Sequence, residues 1–176
     1  TVNAINDIPV ADTASAEISE DQEVAIALTA LDVDGDNLIF SIGDAPLNGS
    51  VTLDGTLATY TPDANYNGDD SFTFAVSDGV LSDTAIVSLT INPVNDAPIL
   101  VEILDVFFDE EDSDNSTILQ ASDVDGDDLI FIIEGGENIT YFTFGSTLTF
   151  KSDIIDYNGS ENFTITVEDR EDDTKL

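Results

Sequence analysis

Asp32-Val33-Asp34-Gly35-Asp36 recurs 91 residues later as Asp123-Val124-Asp125-Gly126-Asp127, and the reading of the chain follows from that recurrence. At the same offset Glu20-Asp21 meets Glu111-Asp112, Leu38-Ile39-Phe40 meets Leu129-Ile130-Phe131, and Tyr66-Asn67-Gly68 meets Tyr157-Asn158-Gly159. Phe72-Thr73 meets Phe163-Thr164, and Asp78 meets Asp169. Separated blocks held in one register without a gap mark an internal duplication. A second offset, of 89, pairs Asn6-Asp7-Ile8-Pro9 with Asn95-Asp96-Ala97-Pro98, and Thr1-Val2-Asn3 with Thr90-Ile91-Asn92. The expected division is a first repeat over residues 1–94, of which 1–6 are the tail of a preceding repeat, and a second over 95–176. The second has no counterpart to Ile86-Val87-Ser88-Leu89-Thr90-Ile91 and is expected to lack its last strand, as in a slice of a longer tandem array.

Within a repeat the periodicity is that of strands. Val24, Ile26 and Leu28 alternate with Ala25, Ala27 and Thr29, and Phe72 and Phe74 alternate in the same way. Asp-Gly, Asn-Gly and Pro interrupt the chain at short intervals, as at Asp34-Gly35, Asn48-Gly49, Asn67-Gly68 and Asp78-Gly79. About seven strands are expected per repeat, near 9–18, 24–30, 37–42, 49–53, 57–61, 70–77 and 84–91. No stretch sustains a helical period. The expected architecture is all-β: two tandem Greek-key sandwiches joined by a short Pro-flanked linker.

The 176 residues carry 38 Asp and Glu against 3 Lys and Arg, a formal net charge of −35, with no His, Cys, Met or Trp. Lys151, Arg170 and Lys175 are the three cations, so the first 150 residues have none. Nucleic-acid and anionic-membrane binding need cations and are excluded. Imidazole- or thiolate-based triads and zinc sites lack their residues. A hydrophobic content of 41% with ten Phe separates the chain from acidic disordered tails. No apolar run reaches the roughly 18 residues of a membrane span. Thr1–Ile5 lacks the basic start of a signal peptide.

Alternating strands place Asp32, Asp34, Asp36 and Asp78 at one end of the first repeat and Glu20 and Asp70 at the other, roughly 23 Å away. If the second repeat follows end to end, its Asp123, Asp125, Asp127 and Asp169 meet Glu20, Asp70, Asn95 and Asp96 at the junction. Two such charges 4 Å apart repel by about 4 kcal/mol at an effective dielectric near 20. A hard divalent cation with six to eight oxygen ligands removes that repulsion, and calcium suits an irregular set better than magnesium.

The Asp-Val-Asp-Gly-Asp runs, the Tyr66-Asn67-Gly68 turn, Asp78-Gly79 and the linker Pro93-Val94-Asn95-Asp96-Ala97-Pro98 resemble bacterial cadherin-like tandem repeats of large secreted adhesins and surface proteins. The resemblance covers nearly the whole chain. It implies calcium at the junction, with Glu20, Asp70, Asn95, Asp96, Asp123, Asp125 and Asp169 as ligands. Asn6, Asp7, Asp32, Asp34 and Asp78 form the corresponding N-terminal set. It further implies an extracellular, non-enzymatic spacer or adhesion module that calcium stiffens, with neighbouring repeats as its partners. Two departures stand out. The motif before the sixth strand is Gly68-Asp69-Asp70 in one repeat and Gly159-Ser160-Glu161 in the other, without the central Arg. Asp169-Arg170-Glu171 follows the sixth strand instead of preceding it, and only Asp169 is kept.

Three other readings compete. Asp123-x-Asp125-x-Asp127 with Glu134 at position twelve imitates an EF-hand, but position six is Asp128 instead of Gly. A calcium-dependent polysaccharide-binding module is the alternative function, with Tyr141, on the alternating stretch Thr140–Phe144 and opposite Ser50 of the first repeat, as its aromatic ligand contact. An unpaired strand edge in the second repeat could also take a strand from a like repeat on another chain.

Overall fold

The computed structural model describes residues 5–109, 115–152 and 158–170. Glu111, Asp112, Tyr157, Glu171 and the first four residues, which figured in the sequence alignment, lie outside these. The chain divides into two compact units, Thr1–Val94 and Asn95–Leu176. The described residues form strands and turns, and none of their helices is long and apolar enough to cross a membrane.

Among its described residues the first unit has nine strands: β1 (Val10–Ala11), β2 (Ala14–Ser19), β3 (Val24–Ala27), β4 (Ala30–Leu31), β5 (Ile39–Ile42), β6 (Gly49–Asp54), β7 (Leu57–Pro62), β8 (Gly68–Ser77) and β9 (Ser82–Asn92). One sheet runs β2-β9-β8-β5 and the other β3-β7-β6, with a two-stranded β1-β4 ribbon. All pairings are antiparallel except β2 with β9. This is the expected Greek-key sandwich, with two strands divided. The first breaks at Asp12-Thr13 and the second at Leu28-Thr29, and the breaks are tied together. Asp12 N donates to Thr29 O (3.0 Å), Thr29 Oγ1 donates to Asp12 Oδ2 (2.9 Å), and Leu28 N turns to Thr56 O (2.8 Å). Each broken strand thereby reaches two neighbours.

Alternation fills the space between the sheets. β9 turns Ala85, Val87, Leu89 and Ile91 inward, and β8 turns in Phe72, Phe74 and Val76. Phe74 is fully buried and stacks on Phe40, ring centres 6.1 Å apart. Tyr60, equally buried, packs in the same cluster.

The second unit contains β10 (Ile99–Leu100), β11 (Asn115–Ile118), β12 (Ala121–Ser122), β13 (Asp128–Gly135), β14 (Ile139–Phe144), β15 (Thr147–Ser152) and β16 (Phe163–Arg170). They pair as β11-β15-β14, β13-β16 and β10-β12. These reproduce the first unit's pairings, and Phe40 opposite Val76 becomes Phe131 opposite Val167, both at the offset of 91.

The β14–β15 hairpin departs from the gapless register. Val51 faces Tyr60 in the first unit and Tyr141 faces Phe150 in the second, so both partners have moved by 90 (141 − 51 and 150 − 60). Tyr141 therefore answers to Val51, not to Ser50. A slip of one residue reverses which side chains face the core. Phe142 and Phe144 come to lie on the face away from Leu148 and Phe150, and are 55% and 86% exposed.

Truncating a fully buried phenylalanine removes its packing and leaves a cavity. Phe74→Ala should lower the stability of the first unit by about 3–5 kcal/mol in denaturant unfolding, while the unfolding of the second unit is unchanged.

Candidate metal centre

Each repeat opens with the same construction, built on its Asp-Val-Asp-Gly-Asp turn. Gly35 (φ 79°) and Gly126 (φ 75°) take the left-handed conformation that a side chain resists. The leading aspartate holds the turn by its own side chain. Asp32 Oδ1 accepts from Asp34 N (2.9 Å) and Asp36 N (3.2 Å), and Asp123 Oδ1 accepts from Asp125 N (2.9 Å) and Asp127 N (3.3 Å). The entering segment docks on the turn through the second aspartate. Asp7 N donates to Asp34 Oδ2 (2.7 Å), and Asp96 N donates to Asp125 Oδ2 (2.8 Å). The preceding asparagine reaches the later acid: Asn6 Nδ2 donates to Asp78 Oδ2 (2.8 Å), and Asn95 Nδ2 donates to Asp169 Oδ2 (3.0 Å). Asp78 also accepts from Leu81 N and Val80 N at 2.7 and 2.6 Å, and these bonds hold its carboxyl below the ordinary range.

The structure thus assembles Asn6, Asp7, Asp32, Asp34 and Asp78 in the first unit, and Asn95, Asp96, Asp123, Asp125 and Asp169 in the second. Carboxylate oxygens of Asp32, Asp34 and Asp36 lie within 4.8 Å of one another, as do those of Asp123, Asp125 and Asp127. Asp36 and Asp127, which strand alternation placed at these ends, are additions to the sets that the cadherin resemblance implies.

The leading aspartate of each cluster keeps an oxygen without a hydrogen bond. Asp32 is 8% exposed, and its Oδ2 is buried without a hydrogen bond; Asp123 Oδ2 is buried and equally unpartnered. Buried polar atoms are nearly always paired, and leaving one unpaired costs about 1–3 kcal/mol, more when it is charged. The same orphan occurs at equivalent positions, each beside two further carboxylates. An oxygen-seeking cation fits that donor set: it would occupy the side of Asp32 or Asp123 that no N–H approaches.

Glu20 and Asp70 are held at other places in the first unit. Glu20 is 2% exposed at the end of β2, and its Oε1 accepts from Val94 N at 2.6 Å. Asp70 is occupied by the protein: its carboxylate accepts from Leu47 N (3.1 Å), Asn48 N (2.9 Å), Ser71 N (2.8 Å) and the Tyr60 hydroxyl (3.0 Å). Burial raises the Asp70 carboxyl, but these donors outweigh it and the net displacement is downward. Burial and the neighbouring Asp70 push the Tyr60 hydroxyl well up. Glu161 repeats the arrangement, accepting from Glu137 N, Asn138 N and Ile139 N and from Asn138 Nδ2. Desolvation opposes ionisation there too, yet the donors bring Glu161 down to about 2. Both acids clamp the loop ahead of the β6 or β14 strand.

Tyr141 is tied into its own unit. Its hydroxyl donates to Ile133 O (2.5 Å), and its ring meets Phe163 edge-on with centroids 5.9 Å apart. Tyr66 donates its hydroxyl to Asp69 O at 2.8 Å and lies against the core.

Two all-β sandwiches in tandem, each entered through an acid-bound turn, define a tandem immunoglobulin-like repeat protein. A family model described as "Bacterial Ig domain" matches residues 6–90 and again 95–175. The chain belongs to the bacterial Ig-domain family, in two copies. Cadherin ectodomains share the fold. Drosophila N-cadherin EC1-4 is 12% identical with a TM-score of 0.58, over 92% of this chain and 49% of that one. Human Protocadherin-24 EC1-2 is 14% identical with a TM-score of 0.57, over 91% and 92%. An endo-fucoidan hydrolase of glycoside hydrolase family 107 is 20% identical with a TM-score of 0.45, over 92% of this chain but 27% of that one. The chain therefore spans about a quarter of the hydrolase and half of the N-cadherin fragment. No curated protein shows significant similarity to the chain.

The clamps make two predictions. Tyr60→Phe removes a buried hydroxyl bonded to a carboxylate and should cost about 1.5–3 kcal/mol in denaturant unfolding. Glu161 has its carboxyl lowered by folding, so its stabilisation is complete above its ordinary value of 4.5 and lost as pH falls towards about 2. Glu161→Gln should lower the melting temperature of the second unit at pH 7 and flatten its acid dependence below pH 4.5. An unchanged acid limb would show that the clamp contributes nothing.

Proposed function

We propose that the chain is an extracellular, non-catalytic spacer or adhesion module whose repeats are stabilised and stiffened by calcium. The observation that carries this reading is the paired orphan: Asp32 Oδ2 and Asp123 Oδ2, each buried without a partner inside a cluster of carboxylates. Asn6, Asp7, Asp32, Asp34, Asp36 and Asp78 would hold the ion of the first repeat. Asn95, Asp96, Asp123, Asp125, Asp127 and Asp169 would hold that of the second. Glu20, 2% exposed with Val94 N as its donor, and Asp70, satisfied by four protein donors, stay outside both sets. The calcium supplies positive charge to clusters that have none, and so holds the linker segment to its turn.

Extracellular modules bind calcium at about 10⁻⁴–10⁻³ M. At tenfold excess over that constant each site contributes about 1.4 kcal/mol. Calcium should raise the melting temperature relative to chelator and give calorimetric binding. Asp32→Asn keeps an oxygen for Asp34 N and Asp36 N while removing the buried charge. It should be at least as stable as the parent in chelator and lose the first repeat's calcium response. Identical melting curves in calcium and in chelator would overturn the reading.

A second reading, polysaccharide binding, is favoured by one observation: Phe142 and Phe144 stand exposed on the outer face of β14. They replace Tyr141 as the aromatic contacts in this reading. Retention on insoluble polysaccharide should then be lost in Phe142→Ala/Phe144→Ala with melting unchanged, and retention that survives the double substitution rejects it.

A further inference from the structure

The sheet β11-β15-β14 of the second repeat corresponds to β3-β7-β6 of the first, so each outward position has a counterpart in the same chain. In one row Phe142 lies beside Thr149 and Thr149 beside Ser116; in the next Phe144 lies beside Thr147 and Thr147 beside Ile118. Phe142, Phe144 and Ile118 are 55%, 86% and 62% exposed. The first repeat sets Thr52 beside Thr59 and Ala25 in the first of these rows, and Asp54 beside Leu57 and Ala27 in the second. Two exposed phenylalanines thus stand where the first repeat has a threonine and an aspartate. In the third row Thr140 stands beside Lys151, in place of Ser50 beside Thr61. None of the three strands β11, β14 and β15 contains a carboxylate, in a chain with 38 Asp and Glu.

We propose that this face binds a neutral polysaccharide, whose sugar rings stack on Phe142 and Phe144 while the hydroxyls of Thr140, Thr147 and Ser116 bond to the sugar edges. The proposal rests on the polysaccharide reading above and names its class of ligand. A sugar ring carries C–H groups on its faces and hydroxyls around its edge. It therefore suits aromatic rings set among Ser and Thr, whose hydroxyls both donate and accept. Phe142 and Phe144 are alternate residues of one strand, about 7 Å apart along it, and serve successive sugars of an extended chain. Charge narrows the class. The face has one cation, Lys151, and no carboxylate, so a polycation is drawn to the acidic remainder of the surface, while the net −35 repels a polyanion. Size argues against a protein partner. The exposed parts of the two rings and Ile118 come to about 400 Å², the scale of a functional patch on a monomer. A stable protein interface takes roughly 800 Å² from each partner. With no acid on the face to hold an ion, binding requires no calcium.

Native gels cast with hydroxyethyl cellulose, with a neutral galactomannan or with alginate test the whole chain, each in chelator and again in calcium. A neutral polysaccharide should slow the chain equally in both conditions, and alginate should not. Phe142→Thr/Phe144→Asp, which installs the residues of the first repeat, should melt as the parent does and need about tenfold more polysaccharide for the same retardation. On the unsubstituted chain, a soluble neutral oligosaccharide should shift the amide resonances of β11, β14 and β15 and leave those of the first repeat in place. Retardation by alginate alone, lost in the double variant, overturns the neutral class and leaves the polysaccharide reading standing. Retardation by none of the three overturns both. Neutral binding that survives the double substitution, that appears only with calcium, or that shifts amides elsewhere overturns the proposal. Self-association of the chain that the double substitution abolishes overturns it in favour of a second copy.

Discussion

In each repeat one aspartate divides its carboxylate between two surroundings. Asp32 and Asp123 give one oxygen to the backbone of their own turn and hold the other inside the protein with no donor facing it. The rest of each repeat's entry hangs on that residue. It shapes the turn that presents Asp34 or Asp125, and these in turn receive the amide of the entering segment, Asp7 or Asp96. Carboxylates thus take part in fixing the path into each sandwich, in the first unit beside the buried Pro9. Such a path is rigid only as far as the mutual repulsion of the acids is compensated, since charges about 4 Å apart repel by several kcal/mol at the dielectric of a protein surface.

The acids of this chain do two kinds of work, and their hydrogen bonds tell them apart. Asp70 and Glu161 each receive several protein donors, and this satisfaction is what lowers their carboxyls in spite of desolvation. They are complete as anions without any ion. Asp32 and Asp123 each keep one buried oxygen that no hydrogen bond reaches. Sequence proximity does not make this distinction: Asp70 lies near the start of β8 and Asp78 directly after its end, yet one clamps a neighbouring loop and the other receives Asn6 of the entering segment.

Much of this was legible in the sequence because it follows from period and repetition. The duplication, the all-β sandwich and the placing of Asp32, Asp34 and Asp78 at one end came from spacing, and Asn6 and Asp7 joined them through the cadherin resemblance. The hairpin register was not legible, because blocks on both sides of it keep the offset of 91 and conceal a shift inside. Asn48 with Asn138 and Gly55 with Gly145, each 90 apart, were the available signals. Missing them aligned Tyr141 with Ser50 instead of Val51, and one residue of slip exchanges the two faces of a strand. The clamps were illegible for a different reason. Their donors are backbone amides of Leu47, Asn48, Glu137, Asn138 and Ile139, and an amide is present at every residue but proline, so only the fold shows which ones converge.

The two kinds of interaction also respond to different conditions. The core of the first repeat rests on alternating apolar residues from β8 and β9, whose burial involves no charge. Its entry segment adds hydrogen bonds to carboxylates, whose mutual repulsion salt and cations screen. If the clusters hold calcium as proposed, a change in its concentration acts first on the segment that enters each sandwich, and the sandwich stays folded while that segment is held more or less firmly.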